Sequence, residues 1–181
     1  MKSSLPNAAL TAPRIEEIAL QMTPSSSSGE PGMLSLSSLA GRVIVLFVFG
    51  IDCGTCKHLA ALLSDFRGEF TARSEFVGIC VQSGCEERLE AFRAESGTGL
   101  RLGHCSTRQL CSSLHLPQAT WLFYPTLIFI DGKQRMRAYF VGGNSFFEDT
   151  PTNLRRTLEE LLDKQKEDEA FDANEKVEAG V

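Results

Sequence analysis

The sequence has no hydrophobic run long enough to cross a membrane. Its longest apolar stretch is the seven residues from Val43 to Phe49, whereas a membrane-spanning helix needs about 20. Residues 1–10 also lack the apolar core that a signal peptide requires. We therefore expect a cytoplasmic protein without a membrane span. A periplasmic location, reached by a route that the sequence does not show, is the alternative.

Basic clusters are absent as well. The net charge is −5, and residues 163–181 contribute −4 of it, with seven acidic and three basic side chains. Nucleic-acid binding requires a basic patch, so no nucleic-acid partner is expected. Beyond Lys166 the chain is acidic and poor in aromatic residues, which predicts a disordered tail over residues 167–181.

The length and composition indicate one domain. A chain of 181 residues with 43% hydrophobic side chains can bury a sizeable core, and no internal repeat is visible. We expect a flexible N-terminus over residues 1–14 and a folded domain over residues 15–166. Two short strands, Ile15–Met22 and Met33–Leu36, are expected to form a hairpin around a flexible Ser-rich connection.

The most informative segment is a buried strand followed by two cysteines and a helix. Val43–Phe49 is continuously apolar, which predicts a strand buried on both faces. The residues after Cys56 show a helical period, with an apolar face formed by Leu59, Leu62, Leu63, Phe66 and Phe70. Cys53 and Cys56 therefore lie where the strand ends and the helix begins.

This position predicts redox chemistry. The unpaired N–H groups at a helix N-terminus favour a thiolate and lower the pKa of a cysteine there. The Cys-x-x-Cys spacing places Cys56 one helical turn beyond Cys53, close enough for a disulfide. Cys53 is expected to attack and Cys56 to resolve the mixed disulfide. Gly54 and Thr55 carry no charge, so nothing here predicts strongly oxidising behaviour.

The remaining chain alternates strands and helices. Strands are predicted at Glu75–Val81, Thr126–Ile130 and Gln134–Val141, and helices at residues 86–96, Thr107–Leu116 and from Pro151 onward. This order predicts βαβ units and a parallel central sheet. Asp131-Gly132 predicts a hairpin turn. In the strand after it, Arg135, Arg137 and Tyr139 are expected to form a solvent-facing side.

The segment strand–Cys53-Gly54-Thr55-Cys56–helix resembles the active site of the thioredoxin fold. Residues 34–42 resemble the segment that precedes this strand in the TlpA-like and redoxin branch, and residues 124–132 are similar to the family's cis-proline strand and hairpin. The resemblance covers roughly residues 15–165. It implies an α/β, thioredoxin-like three-layer sandwich, in which helices flank a central mixed sheet with an N-terminal β-hairpin extension.

The resemblance also implies a function and a site. It implies a thiol–disulfide oxidoreductase, working in the reductase direction, that acts on protein disulfides or dithiols and receives electrons from an unidentified donor. The implied catalytic residues are Cys53 and Cys56, and the implied substrate-binding residues are Tyr124, Pro125, Gly54 and Thr55. Pro125 is expected to be cis and to pack against the cysteine pair. We expect no cofactor, no metal and a monomer.

The sequence departs from the family pattern around the cysteines. Asp52 replaces an aromatic residue, and its carboxylate should raise the pKa of Cys53. The acidic positions that serve as proton acceptors in some relatives correspond to Phe47 and Leu59. No obvious proton acceptor for Cys56 is left; His58 is either a substitute for it or an ordinary exposed histidine.

Three other interpretations of the cysteines stay open. A peroxiredoxin shares the fold, but its Pro-x-x-x-Thr-x-x-Cys motif is absent, because Leu46 and Gly50 occupy the first two positions. A copper chaperone or interaction module with the same cysteines is the non-enzymatic alternative. A structural zinc site would need a second close ligand pair, which the other cysteines do not provide.

The other four cysteines and the aromatic residues before Pro125 have two interpretations each. Cys80, Cys85, Cys105 and Cys111 are expected to be packing residues, although Cys85 and Cys105 are candidates for a second disulfide. Trp121, Phe123 and Tyr124 are either core residues or the rim of a substrate groove.

Overall fold

A computed structural model describes residues 13–23, 32–116 and 123–178. Residues 1–12 of the expected flexible N-terminus, most of the Ser-rich connection and Trp121 lie outside the described residues. Within them the chain forms seven strands and four α-helices: β1 Ala19–Met22, β2 Met33–Ser35, β3 Val43–Phe49, α1 Gly54–Phe70, β4 Ser74–Cys80, α2 Leu89–Ser96, β5 Arg101–His104, α3 Thr107–Ser113, β6 Thr126–Ile130, β7 Met136–Phe140 and α4 Thr150–Glu178.

All seven strands belong to one mixed sheet. Their order is β2-β1-β5-β4-β3-β6-β7. β3 pairs in parallel with β4 and antiparallel with β6, and β4 pairs in parallel with β5. All seven residues of β3 are buried, as their continuous apolar character predicts. The parallel strands end at the same edge of the sheet, which is also where the cysteine pair follows β3.

Helices cover both faces of this sheet. On one face, alternate residues of β3, among them Phe47 and Phe49, pack against α1, α2 and α4. On the other face, Ile44, Leu46 and Val48 pack against α3 and against a 3₁₀ turn at Leu36–Leu39. The three-layer sandwich implied by the resemblance is confirmed.

The N-terminal hairpin extends the sheet. β1 and β2 form the predicted antiparallel hairpin, with Ala19 opposite Ser35 and Gln21 opposite Met33. Both strands are shorter than predicted, because β1 begins at Ala19 rather than Ile15 and β2 ends at Ser35. β1 then pairs antiparallel with β5, a four-residue strand that the sequence analysis does not predict. Arg14, which the sequence analysis assigns to the flexible N-terminus, forms an isolated bridge with Arg135.

The β6–β7 hairpin differs from its prediction on one face. Arg137 was expected to face solvent, and this expectation is wrong: the residue is 6% exposed and donates from Nε to Asp131 Oδ2 at 2.6 Å. The register shifts between Phe129 and Ile130. Because of this shift, the side chains of β7 do not simply alternate between core and solvent. Ala138 packs against the core on one face of the sheet and Met136 against the core on the other.

Helix α4 continues to Glu178, where the sequence analysis expects disorder after Lys166. Ion pairs connect this extension to the rest of the fold: Lys133 lies 3.4 Å from Asp168 and 3.3 Å from Asp172, and Arg73 lies 3.0 Å from Glu169. None of the helices in the described residues is both long and apolar enough to traverse a lipid bilayer.

Candidate active site

The two cysteines form a disulfide at the N-terminus of α1. Cys53 is the residue that caps the helix, and its Sγ accepts a hydrogen bond from the Cys56 N–H at 3.2 Å. The Cα atoms of Cys53 and Cys56 are 5.1 Å apart across the disulfide. A sulfur in this position faces the N–H groups of the first helical turn, which stabilise a thiolate.

The two sulfurs differ in accessibility. Cys53 is half-buried, and Gly54 and Thr55 beside it are exposed. Cys56 is 0% exposed and lies in the apolar cluster that contains Ile51 and Leu59. An external disulfide can therefore reach Cys53 more readily than Cys56, which fits the attacking role predicted for Cys53 and the resolving role predicted for Cys56.

The turn from Gly50 to Cys53 is held by three contacts. The Cys53 N–H donates to the Gly50 carbonyl oxygen at 3.2 Å. The Ile51 N–H donates to Gln82 Oε1 at 2.8 Å. A Cβ on Gly50 would lie 2.8 Å from the Tyr124 ring, so only glycine allows the ring to approach this closely.

Tyr124 and Pro125 lie beside the same turn. The Tyr124–Pro125 peptide bond is cis, as the resemblance predicts. The next residue, Thr126, pairs with Val48, which places the cis peptide at the sheet edge that carries Cys53. A Cβ on Gly142 would lie 2.6 Å from the Tyr124 carbonyl oxygen. Tyr124 is therefore held between two glycine-containing segments.

The aromatic residues before Pro125 divide between the two interpretations. Phe123 is 62% exposed, which is the position expected of a groove rim. Tyr124 is half-buried and packs against the cores on both faces of the sheet. Pro125 is buried. Direct packing of Pro125 against the cysteine pair stays a prediction.

The charges around the cysteines are paired. Both carboxylate oxygens of Asp52 accept hydrogen bonds from Arg88, at 3.0 and 2.5 Å, and these bonds hold the pKa of Asp52 below its ordinary value. Lys57 is paired with Glu95 at 2.5 Å. The positive charge of Arg88 therefore opposes the increase in the Cys53 pKa that is expected from the Asp52 carboxylate.

No acidic side chain replaces the missing proton acceptor at the two family positions. Phe47 and Leu59 are buried apolar residues. His58 is exposed on the first turns of α1, with Nδ1 3.1 Å from the Gly54 carbonyl oxygen, which fits the ordinary exposed histidine. Among the described residues, no group of three or more His, Cys, Asp or Glu is arranged to hold a metal ion.

The other four cysteines are free thiols. Cys80, Cys85 and Cys111 are buried, and Cys105 is half-buried. Burial raises the pKa of Cys85 and of Cys105 to about 12, and it raises the pKa of Cys80 and Cys111 as well. The candidate Cys85–Cys105 disulfide is not formed in this structure. The environment of all four thiols is that of packing residues.

Sequence reasoning missed the residues that hold the active-site turn. Gln82 had a detectable signal, because it follows a strand parallel to β3 and must lie at the same edge of the sheet. Arg88 had none, since it lies in a 3₁₀ turn outside the sheet and no strand order or pattern places it beside Asp52. The roles of Gly50 and Gly142 depend on the position of Tyr124, which becomes visible only in three dimensions.

A family model, the AhpC/TSA family, matches residues 14–139. The chain belongs to the AhpC/TSA family. No curated protein sequence matches it. The suspected thioredoxin-like and redoxin relationship is confirmed.

Several solved structures share the fold at low sequence identity. A thiol:disulfide interchange protein of the thioredoxin family from Chlorobium tepidum has a TM-score of 0.62 at 16% identity, covering 83% of this chain and 98% of its own. The thioredoxin domain of a thiol-disulfide oxidoreductase from Bacteroides vulgatus has a TM-score of 0.61 at 14% identity, covering 83% and 96%. A secreted Mycobacterium tuberculosis disulfide oxidoreductase has a TM-score of 0.53 at 14% identity, covering 70% and 84%.

Proposed function

We propose that the protein is a thiol–disulfide oxidoreductase that reduces disulfides in protein substrates. The observation that carries this proposal is the unequal exposure of two bonded sulfurs at a helix N-terminus, with Cys53 accessible and Cys56 buried. The AhpC/TSA family match supports it. The thioredoxin-fold relatives named above include thiol:disulfide interchange proteins.

The reaction follows from the two positions. In the reduced protein, the Cys53 thiolate attacks one sulfur of a substrate disulfide. A mixed disulfide forms, and the first substrate thiolate leaves and takes up a proton. Cys56 then loses its proton and attacks Cys53 Sγ, which forms the Cys53–Cys56 disulfide and releases the second substrate thiolate. Two electrons pass to the substrate, and a dithiol donor that is still to be identified restores the reduced protein.

The substrate groove would lie between the active-site turn and the segment Tyr124–Pro125. An extended substrate would pair with the main chain at Tyr124 as an added strand, with Gly54 and Thr55 lining the other side. Support comes from the register that places Thr126 opposite Val48 and from the exposed ring of Phe123, two residues before Pro125. Phe123→Ala should raise KM for a protein disulfide more than it lowers kcat. An unchanged KM would place Phe123 outside the groove.

The insulin assay tests the function. The reduced protein should reduce the disulfides of insulin with a dithiol donor present, and Cys53→Ser should abolish this activity, because the attacking sulfur is lost. Cys111→Ser is the matched control, since this thiol is buried on the opposite face of the sheet. Activity that persists in Cys53→Ser would refute the assignment.

A thiol peroxidase is the second candidate, because the family match covers AhpC-type proteins. The geometry favours it less. The position of the peroxidase threonine is Gly50, which is covered by the Tyr124 ring, and Leu46 is buried in the core on the opposite face. Consumption of hydrogen peroxide by the reduced protein, at rates comparable with insulin reduction, would reverse this preference.

The location of the protein is part of the proposal. Four free cysteines, three of them buried, fit a reducing compartment such as the cytosol. The M. tuberculosis relative is described as secreted, so the fold itself is found outside the cytosol too. Cell fractionation with an antibody against the protein decides between the two compartments.

A further inference from the structure

An ionised side chain directly precedes the attacking cysteine. Asp52 lies one residue before the helix cap, and its side chain is 75% exposed. The N–H groups of the first helical turn have no partner within the helix, and aspartate is among the residues that bind such groups best. A free Asp52 carboxylate would compete for the donors that stabilise the Cys53 thiolate. It would also place a negative charge beside that thiolate.

In the structure this carboxylate is bound elsewhere. Arg88 Nη1 donates to Asp52 Oδ2 at 3.0 Å, and Arg88 Nη2 donates to Asp52 Oδ1 at 2.5 Å. Arg88 is the last residue of a 3₁₀ turn that leads into α2. The Cys56 N–H donates to the Cys53 sulfur at 3.2 Å, so the carboxylate has not displaced the sulfur from this donor.

We propose that Arg88 is a positioning residue for the reaction: its guanidinium holds Asp52 away from the N-terminus of α1 and reserves the helix donors for the Cys53 sulfur. Two parallel hydrogen bonds fix both the distance and the orientation of the carboxylate, which a single lysine bond does not do. The inference rests on the proposed role of Cys53 as the attacking thiolate.

The other charged groups near the turn do not replace this pair. Lys57, on the first turn of α1, is engaged with Glu95 on α2. His58 lies with Nδ1 next to the Gly54 carbonyl oxygen. Arg88 holds the pKa of Asp52 below its ordinary value, so Asp52 is ionised throughout the pH range in which a cysteine titrates. Arg88 alone is hydrogen-bonded to Asp52 among the described residues.

The test is the pH profile of Cys53 alkylation. The reduced protein is treated with iodoacetamide at a series of pH values, and modification is followed by mass on the peptide that contains Cys53. In Arg88→Ala the profile should move to higher pH, with an alkylation rate near neutral pH about threefold lower, the size expected for one unit charge a few ångströms away in water. Arg88→Lys should give an intermediate profile.

The double variant shows whether Arg88 changes the alkylation of Cys53 through Asp52 or directly. If Arg88 acts through Asp52, the profile of Asp52→Ala/Arg88→Ala should match that of Asp52→Ala, because no carboxylate is left to restrain. A shift of equal size with and without Asp52 would overturn the proposal, since Arg88 would then act directly on Cys53. An unchanged profile in Arg88→Ala would also overturn it. The wild-type insulin assay is independent of this readout, so failure of the proposed function is recognised separately.

Discussion

Two groups of cysteines lie at one edge of the sheet, the bonded pair Cys53–Cys56 and the free thiols of Cys80, Cys85 and Cys105, and they differ in almost every other respect. Cys53 follows the end of β3, Cys80 ends β4 and Cys105 follows the end of β5, and these three strands are parallel. Cys53 is half-exposed at a helix N-terminus and bonded to Cys56. Cys80 and Cys85 are buried free thiols.

The difference lies in the surroundings of each sulfur rather than in its position in the topology. Cys53 has the N–H groups of α1 in front of it, which favour the thiolate. Cys80, Cys85 and Cys105 are buried or half-buried instead, and burial raises the pKa of each thiol. We therefore expect reactivity at Cys53 and not at the packed thiols near the same edge of the sheet.

A trapping experiment should show the largest difference between the two groups of cysteines. In Cys56→Ser the mixed disulfide cannot be resolved, so the substrate should stay bonded to Cys53 and appear as a higher-mass species that a reductant removes. Cys53→Ser/Cys56→Ser should trap nothing. Bonding of a substrate to Cys85 or Cys105 in the double variant would show that the packed thiols take part in the reaction.

The exposure of Cys53 also depends on the turn from Gly50 to Cys53. Gly50→Ala would place a Cβ 2.8 Å from the Tyr124 ring, so the ring or the turn must move, at a cost of about 1–3 kcal/mol in the free energy of unfolding. Insulin reduction should fall with it. Gly68→Ala is the matched control, because a Cβ there meets nothing within 4 Å. Equal stability of the two variants, measured by urea unfolding, would contradict this packing.

A third test measures how the burial of Cys85 and Cys105 changes the free energy of unfolding with pH. The pKa of Cys85 and Cys105 rises from 9.0 to about 12 on burial. Below pH 9 both thiols are protonated in the folded and the unfolded state, and their burial has no pH-dependent cost. Above pH 9 the unfolded state loses these protons first, so the free energy of unfolding should fall as the pH rises toward 12.

The control for this pH dependence is Cys85→Ser/Cys105→Ser. Removing both thiols should flatten the decline between pH 9 and the onset of general alkaline unfolding, measured by urea unfolding at each pH. A decline of the same steepness in the double variant would assign the alkaline loss to other groups.

The central part of the fold was predictable because its signals are local. The continuous apolar run of β3 and the helical period of α1 each lie within one segment, and together they place Cys53 and Cys56 at the junction. β5 was not predictable: it has four residues, its Gly103 is a weak strand former, and only two of the four are buried. Its position in the sheet is determined by pairing with β1 and β4.

The surroundings of the site were less predictable than the cysteines themselves. The sequence shows the charge of Asp52 but not its partner, because Arg88 approaches from a different segment of the fold. The burial of Arg137 depends on a register shift and on the carboxylate of Asp131, and neither is visible in an alternating pattern. Contacts between distant segments carry this information.

The smallest expected effect belongs to Cys80, the packed thiol whose strand lies directly beside β3. Cys80 pairs with Phe49 in the sheet and is 0% exposed, so a substrate disulfide has no path to its sulfur. Cys80→Ala should keep insulin reduction within about twofold of wild type and lower the free energy of unfolding by about 1 kcal/mol, the cost of one methyl-sized group removed from a core. A loss of activity as large as that of Cys53→Ser, in a variant that keeps its circular dichroism spectrum, would show that a buried thiol beside the active-site strand participates in the reaction. Such a result would remove the distinction between the two groups of cysteines.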